Sequence, residues 1–219
     1  MQYVAIYGLM VVSLIHTAQV HCASFDALRD QIAPDQDIHH IVRPDWLERA
    51  QNGIDADLRS EISETIRAAD GNVLCTCSTI GAVAETSGAL RIDWPMMQVA
   101  AKTGGPVLLV YCLESTVKPS SLLLERAIAE HGGGQCVFTL DLSQSWALFV
   151  SGDIGGFSSV ISKGVRNEVA RRSTLTAVVL AQASMACATT DLADLSIPVL
   201  SSPRLALKTL LGLTDSDAV

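Results

Sequence analysis

Lysine and arginine are too sparse in this sequence to form a basic run. Among 219 residues, 15 are Lys or Arg and 23 are Asp or Glu, which gives a formal net charge of −8 and an isoelectric point near 5.0. Proteins that bind nucleic acids neutralise phosphates with clustered cations. We therefore exclude a nucleic-acid partner, and an acidic ligand must be held by helix N-termini or by a few placed donors.

An apolar run long enough to cross a membrane is also missing. Residues 3–15 are almost wholly apolar, but thirteen residues are too few for a span, which takes about 20. A signal peptide begins with positive charge, and here the first basic side chain is Arg29. We expect no membrane partner and a cytoplasmic protein whose first strand covers residues 11–15. A signal peptide, or a translation start at Met10, stays open as an alternative.

Low-complexity linkers and nucleotide-binding loops are absent as well. Any domain division must therefore be made by compact loops. The segment Gly152-Asp-Ile-Gly-Gly156 contains neither Gly-Lys-Ser/Thr nor Gly-x-Gly-x-x-Gly, so we reject nucleotide binding. With 49% hydrophobic and 17% charged residues and a mean hydropathy of +0.34, the chain can form one large α/β domain or two small lobes with separate cores.

Cysteine is present, but not in a pattern typical of disulfides. Six cysteines lie in apolar surroundings: Cys22, Cys75, Cys77, Cys112, Cys136 and Cys187. In a chain of this length they indicate buried thiols in a reducing compartment. No other Cys/His cluster with ligand spacing surrounds Cys75 and Cys77, so we expect no metal site. A Cys-x-Cys metal or redox pair is the weaker alternative.

Short apolar runs alternate with helical patterns along the whole chain. Predicted strands cover residues 11–15, 37–42, 72–77, 106–112, 136–142, 177–181 and 198–200. Predicted helices cover 18–32, 55–69, 79–90, 95–103, 120–131, 155–172, 185–192 and 203–211. Asp55 and Ser120 are expected N-caps, and the glycines at 104–105 and 132–134 are expected helix stops. Strands bounded by helices indicate right-handed crossovers and mainly parallel sheets, which is an α/β fold.

The most informative segment is Asn72-Val-Leu-Cys-Thr-Cys-Ser-Thr-Ile-Gly81. It predicts a buried strand that ends at Cys77 and runs into small hydroxyl residues before a helix. Ligands bind at such strand ends in open α/β sheets, and backbone N–H groups there favour a thiolate or a carboxylate. Cys75 lies two residues earlier on the same strand face, one pleat deeper, and is interpreted as core.

A second segment has the same pattern. Val178-Val-Leu-Ala-Gln-Ala-Ser-Met185 is also a predicted buried strand that ends in small residues before a helix. This similarity hints at an internal duplication. Two such strand ends that face each other would form a cleft.

At these two segments the chain resembles the aspartate/glutamate/hydantoin racemase superfamily. The resemblance rests on Cys77-Ser-Thr79 and Leu180-Ala-Gln-Ala-Ser-Met-Ala186, with further similarity at Ile15-His-Thr17, Ile92-Asp-Trp-Pro95 and Ile197-Pro-Val-Leu-Ser-Ser-Pro203. It implies two similar Rossmann-like α/β lobes with mainly parallel sheets, a substrate cleft between them and no cofactor. We expect the first lobe to comprise residues 1–103 plus 204–219, and the second residues 104–203.

The resemblance also implies a reaction, and this chain departs from it at one position. In the family, a thiol from each lobe approaches a carbon next to a carboxylate; one takes a proton and the other returns one. Here Gln182 stands where the second cysteine is expected, and an amide cannot transfer a proton near neutral pH. We expect cysteine-based proton transfer by an isomerase. The alternatives are a single-cysteine decarboxylase or isomerase of the same fold, and a non-catalytic protein that binds small carboxylates.

The expected site contains one catalytic residue, Cys77. The expected substrate-binding residues come from four strand ends: His16, Ser78, Thr79, Glu114, Ser115, Thr116, Gln182, Ala183, Ser184 and Met185. The partner is a small carboxylate-bearing molecule, and association into a homo-oligomer is left open. The pair His39-His40 is interpreted as a strand or surface feature.

Overall fold

The first half of the chain builds a four-stranded parallel sheet. The structure, a computed structural model, describes residues 11–213; the predicted apolar extension before residue 11 and the last six residues lie outside this range. The strands are β1 (Val12–His16), β2 (Ile38–Val42), β3 (Asn72–Cys75) and β4 (Leu90–Arg91). Their order is β2-β1-β3-β4, and every pairing is parallel.

The second half repeats this arrangement. Its strands are β5 (Val107–Tyr111), β6 (Val137–Asp141), β7 (Ala177–Leu180) and β8 (Val199–Ser201), in the order β6-β5-β7-β8, again all parallel. The two sheets share one strand order, with β3 and β7 in equivalent positions. The predicted α/β fold with two similar lobes and parallel sheets is therefore confirmed.

Nine α-helices connect these strands within the described range. They are α1 (Val20–Ile32), α2 (Pro44–Ala50), α3 (Ala56–Ala68), α4 (Gly81–Thr86), α5 (Trp94–Ala101), α6 (Glu114–Glu130), α7 (Trp146–Val150), α8 (Ile154–Arg171) and α9 (Ser202–Leu210). Three short 3-10 helices cover Ser143–Ser145, Ala183–Ala188 and Thr190–Leu192. None of the helices between residues 11 and 213 is long and apolar enough to span a membrane.

The cores lie on both faces of the sheets. In β5 and β7 all residues except Tyr111 are buried, as expected for parallel strands covered on both sides. Ala206 and Leu207 of α9 pack with the first-sheet residues Val12 and Leu14. Helix α5 packs in the core of the second sheet. The predicted boundaries at 103/104 and 203/204 stay predictions.

Three predicted helices differ from those observed. The helix expected at 79–90 ends at Thr86, because the chain turns at Gly88, whose φ is 102°, and then enters β4. The helix expected at 185–192 is instead the two 3-10 helices. Helix α6 begins at Glu114, six residues before the predicted start, and continues through Pro119. Ser120 is consequently buried inside α6 and is not an N-cap, so that prediction is wrong.

Other local predictions can be compared directly with the structure. Asp55 caps α3, since its Oδ1 accepts a hydrogen bond from Leu58 N at 2.7 Å. On α6, Leu123, Ala127 and Ile128 are buried as expected, whereas Leu122 is 56% exposed and does not pack on the sheet. The short helices α2 and α7 and strand β4 had no counterpart among the predicted elements.

Candidate active site

The two equivalent strand ends meet at one cavity. Cys77 follows the end of β3 by two residues, and Gln182 follows the end of β7 by two residues. Both line a cavity of about 40 Å³ between the lobes. Its remaining lining residues are Thr17, Ala18, His21, Leu47, Thr76, Ser78, Thr79, Leu113, Thr116, Trp146, Ala183 and Ser184. The structure thus places Cys77 and Gln182 as pseudo-equivalent residues of a single pocket.

The chain at Cys77 is held rigidly by its neighbours. Thr76 N donates to Ile15 O at 2.9 Å, and Cys75 Sγ donates to Cys77 O at 3.6 Å. Cys75 is fully buried, and this burial, followed by the charge of nearby Cys77, raises the pKa of the Cys75 thiol. Cys75 therefore stays protonated in the core, while Cys77 lines the cavity.

Hydroxyl groups connect the lobes beside the cavity. Ser78 Oγ donates to Ala181 O across the lobes at 3.1 Å. Thr79 Oγ1 lies 3.3 Å from Ser115 Oγ and 3.4 Å from Thr116 Oγ1 in the first turn of α6. The segments after β3, β5 and β7 are therefore joined by hydrogen bonds, with their small polar side chains next to Cys77.

The Gln182 side chain is held by a hydrogen bond from the backbone directly after β5. Its Oε1 accepts a hydrogen bond from Cys112 N at 2.6 Å. Because this oxygen already has a partner, the amide nitrogen is the group that Gln182 offers a ligand. Ser184 Oγ is buried and has no hydrogen-bond partner among residues 11–213. A ligand with an acceptor or donor near Ser184 would satisfy this hydroxyl.

The predicted site residues divide into two groups. Cys77, Ser78, Thr79, Thr116, Gln182, Ala183 and Ser184 line the cavity. His16, Glu114, Ser115 and Met185 do not. Met185 is buried in the core of the second lobe, and Glu114 is exposed at the start of α6. Ser115 reaches the site only through its contact with Thr79.

His16 lies behind the cavity in a chain of polar side chains. Its Nδ1 lies 2.8 Å from Thr76 Oγ1, and its Nε2 lies 2.8 Å from His40 Nδ1. His40 Nε2 in turn lies 3.2 Å from Asp26 Oδ1. Burial, and then the charges of His40 and His21, lower the pKa of His16 to about 3. His16 is therefore a neutral imidazole at neutral pH.

Several lining residues were not predicted from the sequence. His21 lies in the first turn of α1, where burial lowers its pKa to about 4. The Ile15-His-Thr17 similarity pointed to this strand end, but not to His21 itself. Trp146 comes from α7, a helix that the sequence pattern did not indicate, and no signal near it marked a site. His40, interpreted as a strand or surface residue, is in β2 but half-buried.

A larger groove adjoins the cavity. It has a volume of about 730 Å³ and lies against α1, α9 and the segment 183–190. His21, Ala183 and Ser184 line both spaces. The His21 and Phe149 rings stack with centroids 6.2 Å apart, so the two lobes touch where the spaces meet.

Comparison with known proteins agrees with this architecture. No family model and no curated protein sequence matches the chain. Among solved structures, it is similar to the Picrophilus torridus aspartate racemase, with a TM-score of 0.68 and 15% identity over 95% of this chain and 97% of that one. The glutamate racemase from Francisella tularensis has a TM-score of 0.67 and 13% identity, over 93% and 80% of the two chains. The chain therefore shares the two-lobed α/β fold of these racemases.

A third similar structure is also a racemase, and it is named for a different substrate, allantoin. The allantoin racemase from Klebsiella pneumoniae matches with a TM-score of 0.59 and 17% identity, over 95% of this chain and 92% of that one. At such low identities the shared feature is the racemase fold. The function of this chain must therefore be argued from its own site.

Proposed function

We propose that this protein is a cofactor-independent enzyme in which Cys77 transfers a proton at the carbon next to the carboxylate of a small acid. The observation that carries the proposal is the position of Cys77. It is the one cysteine that lines the cavity between the two strand ends within the described range. Thiols act as acid or base on weakly acidic carbon only when they are placed at the reacting atom, and the position of Cys77 on the cavity wall supports such a role.

The polar groups around Cys77 fit a carboxylate-bearing substrate. The amide nitrogen of Gln182, the Ser184 hydroxyl and the Thr79 hydroxyl are all uncharged donors. Such donors can hold a carboxylate and the enolate-like charge that develops on it during proton abstraction. The helices that follow the two strand ends are short, so these side chains and the loop amides supply most of this stabilisation.

The size of the cavity restricts the substrate and requires motion. A volume of about 40 Å³ has room for only a few water molecules. Ligand sites usually have roughly 300 Å³ or more. A substrate must therefore be small, and it enters when the lobes separate at the Ser78–Ala181 and His21–Phe149 contacts.

Gln182 favours a one-thiol variant of this chemistry. The equivalent positions of β3 and β7 support a position for the Gln182 amide opposite Cys77, where a second thiol would act on the other face of the substrate. With no second thiol in that position, Cys77 delivers and removes protons on one face. A decarboxylation followed by one-sided protonation uses the same group, and it is the second candidate reaction.

Deuterium exchange tests the proposal. The protein is incubated in heavy water with a panel of amino acids, hydantoins and substituted malonates, and incorporation at the α-carbon is followed by NMR. Decarboxylation is followed in the same samples by release of carbon dioxide. We expect a panel member to react, and Cys77→Ser to lower its rate at least about a hundredfold, the scale of a placed acid–base group.

The control for this experiment is Cys136→Ser. Cys136 is exposed and lies outside the cavity, so its replacement should leave the rate within about twofold of the unmodified protein. The assignment of Cys77 would be wrong if Cys77→Ser reacted as fast as Cys136→Ser. It would also be wrong if both variants lost activity to the same extent.

A further inference from the structure

The first lobe contains a cluster of metal-ligating side chains that the proposed reaction does not use. His16, Cys22 and His40 each offer one ligand atom, and these atoms all lie within 4.8 Å of one another. We infer that His16, Cys22 and His40 form a site for a divalent transition metal ion, with Zn²⁺ as the best match. This inference is independent of the reaction proposed for Cys77.

Backbone topology explains why these residues converge. His40 in β2 pairs with Leu14 in β1, so His16, two residues beyond Leu14, lies on the same face of the sheet. Helix α1 covers that face, with buried Phe25 packing beside Leu14. Cys22 is three residues before Phe25 and therefore shares its side of α1. The cluster belongs to rigid elements and not to a loop.

The second nitrogen of each histidine has an oxygen partner on the far side of the ring. His16 Nδ1 lies 2.8 Å from Thr76 Oγ1, and His40 Nε2 lies 3.2 Å from Asp26 Oδ1. Metal-bound histidines almost always donate their other N–H to a carboxylate, a carbonyl or another oxygen, which fixes the ring and its tautomer. Both rings here have that arrangement, and their remaining nitrogens, His16 Nε2 and His40 Nδ1, face each other inside the cluster.

Proton placement at this cluster is compatible with a metal ion. The Asp26 carboxylate only accepts, so the His40 proton is on Nε2 and Nδ1 carries a lone pair. When His16 has its proton on Nδ1, Thr76 Oγ1 accepts it, and the Thr76 hydroxyl donates to Ile15 O at 3.0 Å. In that state His16 Nε2 and His40 Nδ1 both present lone pairs. A metal ion between them takes the position that the proton occupies when His16 is protonated on Nε2 instead.

The two imidazole rings require only a small adjustment. His16 Nε2 and His40 Nδ1 are 2.8 Å apart, and two nitrogens at about 2.0–2.1 Å from one tetrahedral Zn²⁺ are about 3.3 Å apart. The rings must separate by roughly half an ångström. Cys22 supplies a thiolate as the third ligand, so binding releases one proton from its thiol to solvent. Cys22 is half-buried, which leaves the fourth position to water.

The donor set determines the class of ion. Two imidazole nitrogens and one thiolate are borderline-soft ligands, which suit Zn²⁺ and Co²⁺. Mg²⁺ and Ca²⁺ take oxygen ligands and do not suit this site. When bound, the ion would join β1, β2 and α1, and its ligand His16 also contacts Thr76, the residue before Cys77.

Cobalt spectroscopy tests this site without any need for a substrate. The full chain is treated with a chelator, freed of it and titrated with Co²⁺. We expect a thiolate-to-cobalt charge-transfer band together with d–d bands of four-coordinate cobalt, and loss of these bands when Zn²⁺ is added. The site is overturned if no thiolate band appears, or if Zn²⁺ leaves the spectrum unchanged.

Variants locate the thiolate and control for folding. Cys22→Ser should lose the charge-transfer band, whereas Cys77→Ser and Cys136→Ser should keep it. Asp26→Asn, at a partly exposed carboxylate, should keep the band but weaken Zn²⁺ binding about tenfold to a hundredfold, as loss of a histidine's partner does elsewhere. A band that survives Cys22→Ser, or Zn²⁺ affinity unchanged in a folded Asp26→Asn protein, contradicts the proposal.

Discussion

The cysteines of this protein differ in exposure and in thiol acidity. Cys136 is exposed, whereas Cys75 and Cys112 are fully buried. Burial raises the pKa of Cys112 to about 11, and its hydrogen bond from Ser145 Oγ only partly opposes that effect. The thiolate is the reactive form of cysteine. Each thiol should therefore react with an alkylating reagent at a rate set by its own surroundings.

Alkylation of the folded protein at pH 8 should follow this order. Cys136 is expected to react first. Cys112 should react far more slowly, because its side chain is buried and burial raises its pKa to about 11, which leaves little thiolate. Iodoacetamide labelling with peptide mass spectrometry measures both rates. Equal labelling of Cys112 and Cys136 without unfolding would contradict the described burial.

A second feature at the level of individual residues is a buried ion pair, which affects stability. Arg91 Nε and Nη2 donate to the two oxygens of Asp93 at 3.0 Å each, and both side chains are almost fully buried. Removal of one partner from such a pair leaves the other charge buried without compensation. The pair therefore makes Asp93 a sensitive position, although Asp93 does not line the cavity.

Asp93→Ala should lower the free energy of unfolding by about 3–5 kcal/mol. The matched control is Asp194→Ala, which breaks the exposed pair between Arg166 and Asp194, with side-chain exposures of 42% and 68%. That change should cost far less, because solvent screens an exposed pair. Denaturant unfolding measures both values. Similar small losses in the two variants would show that the Arg91–Asp93 pair does not have the described geometry.

At the scale of elements, the first turn of α4 is packed against this ion pair. A Cβ built on Gly81 would lie 2.9 Å from Arg91 Nε. Asp93 holds that guanidinium in place, so Arg91 cannot move aside easily. Gly155, near the start of α8, is also a first-turn glycine, but nothing lies within 4 Å of its Cβ position. Replacement of these two glycines by alanine should therefore have opposite effects on stability, although both lie in the first turn of a helix.

Gly81→Ala is expected to destabilise the protein by about 1–3 kcal/mol, the usual cost of overpacking. Gly155→Ala should instead stabilise it by about 0.5–1 kcal/mol, since alanine is the better helix former and has free space there. Thermal or denaturant unfolding of the two variants, side by side, gives the comparison. Stabilisation by Gly81→Ala would refute the close approach of Arg91 to α4.

The strands and helices also show how much of the fold could be predicted from the sequence. The seven predicted strands match observed ones within about two residues, because buried parallel strands appear as short, continuous apolar runs. Strand β4 has only two residues, too few for such a pattern. The start of α6 was misplaced because Pro119 normally marks a helix start, whereas here the helix passes through it.

Residues of the site could be predicted from the sequence where a single chain segment determines their position. Cys77 ends one predicted strand and Gln182 directly follows another, and the structure places both at one cavity. His21 and Trp146 reach that cavity because the two lobes approach each other, and no local pattern encodes this approach. The convergence of His16 and His40 likewise depends on the register of β1 with β2, which fixes positions 24 residues apart.

At the scale of the whole molecule, the internal repeat is the main feature. Both sheets have the same strand order, and the repeat relates Cys77 to Gln182. A thiol at the second position would restore a pair of thiols on opposite sides of the pocket. The Gln182 amide oxygen instead accepts a hydrogen bond from Cys112 N. In the proposed function, the second lobe binds the substrate while the first reacts with it.

Gln182→Cys tests the meaning of this asymmetry. For a substrate that exchanges its α-proton, the variant should gain inversion of configuration by about a hundredfold over the unmodified protein, the low end for an added acid–base group. Chiral chromatography measures inversion, and circular dichroism confirms that the variant is folded. A folded Gln182→Cys protein with no gain in inversion would show that the two strand ends do not face one substrate carbon.

The central claim is that Cys77 acts on one face of its substrate without a second thiol. The most direct measurement follows deuterium incorporation and optical inversion together, in heavy water, for one enantiomer of a reactive α-carboxylate. We expect the unmodified protein to incorporate deuterium with retained configuration faster than it inverts the centre, and Cys77→Ser to do neither. Inversion as fast as exchange, or exchange that persists in Cys77→Ser, would contradict the central claim.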